Sequence, residues 1–183
     1  MAQNPGHKRK LLIVAAVLAI GGVAAVVTHI RAGFFDEPDE WAGLSHVLEH
    51  MFFKGTPTRG VGAVARETKG LGGYLNAGTG YDRTSYYVVV PARNLARAID
   101  IQADALQRAT LDPGELAREL QVIIEEAKRK RDTPSAVASE TLHELLFDRH
   151  RIRRWRIGHE EALARFSGAD LRAYYASRYV PVR

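Results

Sequence analysis

The chain has 183 residues, a length that suits one domain of ordinary size together with any targeting segment. Apolar residues make up 46% and charged residues 26%, so most of the chain is expected to fold around a globular core. The absence of cysteine excludes disulfides and thiolate chemistry and leaves His, Asp and Glu to hold any metal; the formal net charge is +5, but no nucleic-acid motif accompanies it and no nucleic-acid partner is expected.

In chain order, the basic run "HKRK" precedes "LLIVAAVLAIGGVAAVV", seventeen uncharged, mostly apolar residues from Leu11 to Val27. A membrane-spanning helix needs about 20 such residues, with about 17 as the lower limit. A signal peptide has a shorter apolar stretch and a small-x-small cleavage site, which Gly22-Val23-Ala24 could supply. The expected organisation is a signal or membrane-anchor segment over 1–27 and a folded domain over 28–183. Residues 11–27 would then meet the membrane, and the domain would be anchored or exported to the periplasm or cell envelope. The alternative is a buried strand, because "VAAVVTHIRAG" is rich in β-branched residues.

"AGFFDEPDEWAG" (32–43) reads as a turn-rich connector whose acidic residues suit the positive end of a following helix over 44–53. A second helix, "VGAVARETKGLGG", stops at Gly70, Gly72 and Gly73. "YLNAGTG" and "RTSYYVVVP" predict two antiparallel strands around a short turn. "ARNLARAIDIQADALQRAT" is a helix with Leu95, Ile99, Ala103 and Leu106 on one stripe. Asp112 as N-cap and Pro113 at the first position start another, through "GELARELQVIIEEAKRK", and helices follow over "TPSAVASETLHELLF" and "SGADLRAYYASRY". The basic runs Lys128–Arg131 and "RHRIRRWR" (149–156) suit a helix C-terminus and a solvated face. Helices and a hairpin in segregated runs indicate α+β, an antiparallel-rich sheet with helices on one face.

The chemistry concentrates in "GLSHVLEHMFFKGT" (43–56). On a helix His46, Glu49 and His50 share one face, and two imidazoles one turn apart can bind one zinc at ~2.0–2.1 Å, with the carboxylate beside the metal. A catalytic zinc usually keeps three protein ligands. In the helix from Pro113, Glu119 and Glu126 lie two turns apart, ~10.5 Å along the axis, and border a buried side of Leu116, Leu120, Ile123, Ile124 and Ala127. Glu125 is rotated ~100° away, and Glu115 and Lys130 are more easily exposed. Read alone, HxxEH is equally compatible with a surface pair at i,i+4 spacing. A charged triad on an apolar helix, followed by an acidic pair on a second, is harder to place on a solvated face.

HxxEH inverts the common HExxH zinc motif, the mark of the inverzincins. With "RAGFFDEPDEWAGLSHVLEHMFFKGT", "GGYLNAGTGYDRTSYY", "ELARELQVIIEEAKRKRDTP" and "LRAYYASRYVP", the chain resembles the pitrilysin/insulinase metallopeptidases over residues 31–182, in the branch with the mitochondrial processing peptidase and its bacterial relatives. The resemblance implies one zinc per chain, with His46 and His50 as ligands and Glu126 as the third. Glu49 matches the general base, Glu119 an acidic residue that supports the site without binding metal, and Asn76 and Ala77 a strand edge that pairs with a peptide substrate. It further implies a partial domain: strands expected before "RAG" are replaced by the apolar segment, and a second-half domain or homologous partner subunit is needed to close the cleft. The function so implied is a zinc endopeptidase acting on extended peptides. A non-catalytic peptide-binding or assembly subunit, or an inactive fragment, is the alternative.

Overall fold

From Val14 onward the apolar stretch turns back on itself as a β-hairpin; the computed structural model describes residues 14–180, and Leu11–Ile13 lie outside them. Strand β1 (Val14–Ile20) pairs antiparallel with β2 (Val23–Ile30), Ile20 opposite Val23. Between them Gly21 and Gly22 have φ of +60° and +84°, the two consecutive positive values that a two-residue hairpin turn requires. Where an anchor or leader was expected, the described residues therefore form strand. No helix among them is long and apolar enough to cross a membrane. The strands expected to be missing before "RAG" are these two. The physical reason is the Gly-Gly turn together with β-branched residues on both sides of it, which favour a pleated surface.

Strands β3 (Tyr74–Thr79) and β4 (Thr84–Pro91) complete an antiparallel sheet of order β1-β2-β4-β3 among the described residues, leaving β3 as an edge. Burial alternates with period two. Ala24, Val26, Thr28 and Ile30 of β2 and Thr84, Tyr86, Val88 and Val90 of β4 are buried, while Ala25, Val27, His29, Ser85, Tyr87 and Val89 are half-buried on the other face.

The helices cover the buried face, in agreement with the expected α+β arrangement. They are α1 (Leu44–Met51), α2 (Ala63–Gly70), α3 (Leu95–Arg108), α4 (Pro113–Arg131), α5 (Pro134–Leu146), α6 (Glu160–Leu163) and α7 (Gly168–Arg178). Phe52, just after α1, stacks on Tyr86 at 3.8 Å between ring centroids, and the Tyr86 hydroxyl meets that of Tyr179 at 2.7 Å. Helix α3 lies on the sheet through Ala98, Ile101, Gln102 and Ala105, whereas Ile99 is 42% exposed. The stripe expected on α3 is thus rotated: the small Ala98 lets the helix approach Val26, Val88 and Val90, and Gln102 Nε2 donates to Thr28 Oγ1 (2.8 Å) and the Tyr86 carbonyl (3.0 Å).

The loop leaving α1 is tied to α3 by Asp104. This buried carboxylate accepts from Thr56 Oγ1 (2.7 Å), Thr58 Oγ1 (3.0 Å), Arg108 Nε (2.6 Å) and the Arg59 guanidinium. Burial alone would raise its pKa, but these donors outweigh it and hold the group down at about 2. The group is ionised natively at a pH where the unfolded chain already binds a proton. Its stabilisation is therefore complete above the ordinary pKa and is lost as pH falls toward 2. By linkage it is worth about 2 kcal/mol. Urea unfolding of wild type and Asp104→Asn should differ by at least that amount at neutral pH. The difference should shrink below pH ~4, and a gap independent of pH would show that the carboxylate charge is not what holds the loop.

Candidate metal centre

Helix α1 begins at Gly43, whose φ of +100° suits a residue without Cβ; a Cβ there would also lie 2.7 Å from the Ile157 carbonyl oxygen. Gly43 offers no capping side chain. Glu37 caps the helix instead, its two carboxylate oxygens accepting from the Gly43 N–H (2.8 Å) and the Ser45 N–H (2.7 Å). Burial pushes the Glu37 pKa up to about 7, against these hydrogen bonds. The connector carrying Glu37 is held in turn by the "RHRIRRWR" segment. Arg151 donates to the Phe35 (2.6 Å) and Glu37 (2.9 Å) carbonyls, and Arg154 to the Glu37 carbonyl (3.0 Å) and to Asp39. Two of these arginines therefore have a structural role beyond a solvated face, because they satisfy carbonyls of an irregular segment that has no ladder of its own.

Helix α4 starts as expected, with Asp112 Oδ1 accepting from the Gly114 and Glu115 N–H groups at 2.9 Å each. Leu116, Leu120, Ile123, Ile124 and Ala127 are all buried. Glu115, expected to be exposed, is buried as well and pairs with Arg118. The packing of α4 against α1 brings Glu126 Oε2 to 3.7 Å from His46 Nε2 and 3.9 Å from His50 Nε2. The two imidazole centroids are 4.7 Å apart with planes at 81°. Glu119 stands behind His50 instead, its Oε2 3.1 Å from Nδ1, while its other oxygen pairs with Lys54. Glu125 points outward to Lys128 (2.8 Å).

Three candidate ligands, His46, His50 and Glu126, each offer an atom within 4.8 Å of the others. Four ligands around zinc at ~2.0–2.1 Å stand about 3.4 Å apart, so the two imidazole–carboxylate separations need to close by only a few tenths of an ångström. The two ring nitrogens, within 4.8 Å of each other, have further to close. Electrostatics favour a cation. Burial, then the neighbouring His50, holds the His46 pKa well below the ordinary imidazole value, which leaves a neutral ring with a free lone pair. Burial opposes ionisation of Glu126, but His46, Lys130 and His50 outweigh it and keep its pKa below the ordinary carboxylate value. His46 Nδ1 is buried without a hydrogen-bond partner, so this ring is oriented by packing. Two imidazoles and one carboxylate, with no thiolate available, suit zinc.

Glu49 is outside this group of candidate ligands and accepts from Thr79 Oγ1 at the end of β3. Burial raises its pKa above the ordinary value, with the Thr79 bond opposing. On the same edge strand Ala77 packs against the main core, whereas Asn76 is exposed and its Oδ1 takes the Ala77 N–H at 2.8 Å. The site thus gathers His46, Glu49, His50, Glu119 and Glu126. Ala77 lies on the neighbouring strand, and Asn76 points from its opposite face. Reasoning from sequence missed Thr79, Lys54 and the capping role of Glu37. Of these, only Glu37 carried a signal, as an acid ahead of a helix.

The family model described as Insulinase (Peptidase family M16) matches residues 18–158. The chain is 36% identical over 159 residues to the uncharacterized zinc protease YmxG of Bacillus subtilis (strain 168), covering 87% of this chain and 39% of that protein. It is 34% identical over 160 residues to the mitochondrial-processing peptidase subunit beta of Blastocladiella emersonii, covering 87% and 34%. Among solved structures, a protease from Helicobacter pylori superposes with a TM-score of 0.84 at 23% identity, over 94% of this chain and 44% of that one. The chain therefore spans less than half the length of each of these proteins.

The purified chain is expected to bind about one equivalent of zinc, on the coordination rule for such a donor set. Metal analysis of wild type against His50→Ala tests the site, and equal zinc in both would remove His50 from the ligand set.

Proposed function

We propose that this chain, which belongs to the insulinase family of peptidases (family M16), is the metal-bearing part of a zinc-dependent endopeptidase that cleaves extended peptides. The observation that carries this reading is the convergence of His46, His50 and Glu126 on one point with Glu49 beside them, unbonded to any of the three and held by Thr79.

Zinc held there supplies Lewis-acid chemistry, acidifying water and polarising a carbonyl. The chain's own residues do the rest. His46, His50 and Glu126 fix the metal, and Glu119 fixes the His50 ring from behind. Glu49 takes the proton from the attacking water and passes it to the leaving amine; a carboxylate whose pKa is raised by burial is better matched to that exchange than an exposed one. The free edge of β3, with Asn76 and Ala77, offers main-chain groups to an extended substrate, and that edge ends at Thr79, the residue that holds the base.

The chain's 39% and 34% coverage of its relatives supports a facing wall supplied by a second-half domain or a homologous subunit. Positioning of a substrate in near-attack geometry is worth ~7–11 kcal/mol, so one wall alone makes a poor enzyme.

Cleavage of a quenched fluorescent peptide, with and without a separately supplied second-half domain, is the test. Weak turnover by the chain alone, raised by that domain and abolished by Glu49→Gln with zinc retained, is expected. Loss of zinc in Glu49→Gln would make Glu49 a ligand, and normal hydrolysis by that variant would assign the base elsewhere. Vigorous Glu49-dependent cleavage by the chain alone would make the second wall dispensable.

A further inference from the structure

Lys54 stands three residues past the end of α1, in the turn that leaves it. Its N–H donates to the Met51 carbonyl at 3.1 Å, so the root of the side chain is fixed by the last turn of the helix. Its ammonium reaches across to α4 and pairs with Glu119 Oε1, while Glu119 Oε2 faces His50 Nδ1 at 3.1 Å. The two oxygens of one buried carboxylate are thus divided between a cation and an imidazole.

We propose that Lys54 is a positioning residue that acts through Glu119 to set the ring orientation and tautomer of His50 for metal binding; this rests on the zinc reading above. An ammonium only donates, so Glu119 Oε1 must accept, and a carboxylate with one oxygen pinned has its plane and the aim of its other oxygen set. An ion-paired carboxylate accepts at that other oxygen too, so the proton between Glu119 and His50 belongs to Nδ1. The Nε2 lone pair is left on the side of Glu126, 3.9 Å away. Without Lys54, Glu119 retains one partner and gains rotational freedom, and His50 loses the fixed acceptor that selects its tautomer. The asymmetry of the site raises the importance of this chain of contacts. His46 Nδ1 has no hydrogen-bond partner, so His50 is the one of these two rings held from behind by a hydrogen bond. Groups that hold metal-binding histidines in this way typically contribute 10–100-fold to metal affinity.

The test uses the 183-residue chain, with zinc affinity measured by chelator competition and the His50 tautomer read by nitrogen-15 NMR of the metal-free chain in mildly alkaline buffer. Lys54→Met should weaken zinc binding about tenfold and shift His50 from the Nδ1–H form to a mixture of tautomers. Lys54→Arg, which keeps the charge and the donors, should restore both. In a double-mutant cycle, Lys54→Met should add nothing to Glu119→Gln, because both break one relay. If Lys54→Met does not fold, Lys54→Gln enters the same cycle. Unchanged zinc affinity and tautomer, or a loss that adds fully to that of Glu119→Gln, would overturn the relay. A wild-type chain that binds no zinc would overturn the metal reading and the relay with it.

Discussion

The candidate metal centre depends on how the first turn of an eight-residue helix is held. A helix of that length is well below the ~12–15 residues that are marginal alone in water, and its leading N–H groups have no intrahelical partners. Glu37 satisfies two of them from six and eight residues upstream. Because that carboxylate is buried, it stabilises only while its own backbone stays in place, which Arg151 and Arg154 ensure through its carbonyl. At the other end Lys54 ties the exit turn of α1 to α4. The helix bearing His46, Glu49 and His50 is therefore held at one end by Glu37 and at the other by Lys54, while Leu44, Val47, Leu48 and Met51 bury its apolar side.

Helix α4 meets the complementary requirement, since it must present two carboxylates in different roles from one rigid element. Its 19 residues carry an Asp-Pro start and a basic final turn, so cap, dipole and buried stripe all favour helix. Rigidity matters because Glu126 faces both imidazoles at 3.7 and 3.9 Å while Glu119, two turns earlier, stands behind His50. A kink between them would misplace one or the other.

Much of this was legible in the sequence because it is local. HxxEH shares one face by helical period alone, the α4 caps are adjacent in sequence, and the hairpin of β3 and β4 is bounded by the Gly70, Gly72, Gly73 cluster and Pro91. What escaped depends on partners distant along the chain. The run of residues 14–27, for which a strand was the alternative reading, has the same apolarity whether it spans a bilayer or pairs as strands, and the Gly21-Gly22 step is the local feature that distinguishes the two. The arginines of "RHRIRRWR" look like surface charge until the carbonyls they serve are in view. The face of α3 is set by how closely Ala98 approaches the sheet, which hydrophobicity does not reveal. Thr79 and Lys54 carry no signal of their own, because each acquires its role from one carboxylate across a packing interface.

The closure of Gly43 against Ile157 and Gly158 has a consequence for biogenesis. The contacts that seat α1 come from the last third of the described chain: Arg154 reaches Glu37 across 117 positions, Tyr174 meets Ser45 across 129, and Arg178 reaches the Asp36 carbonyl across 142. During synthesis His46, His50 and Glu126 all leave the ribosome before any of these residues does. A nascent chain thus carries all three candidate ligands, two of them on a helix whose entry is not yet fastened, and contacts of such long sequence separation form slowly. The order of translation therefore places assembly of the candidate metal centre after the docking of α7.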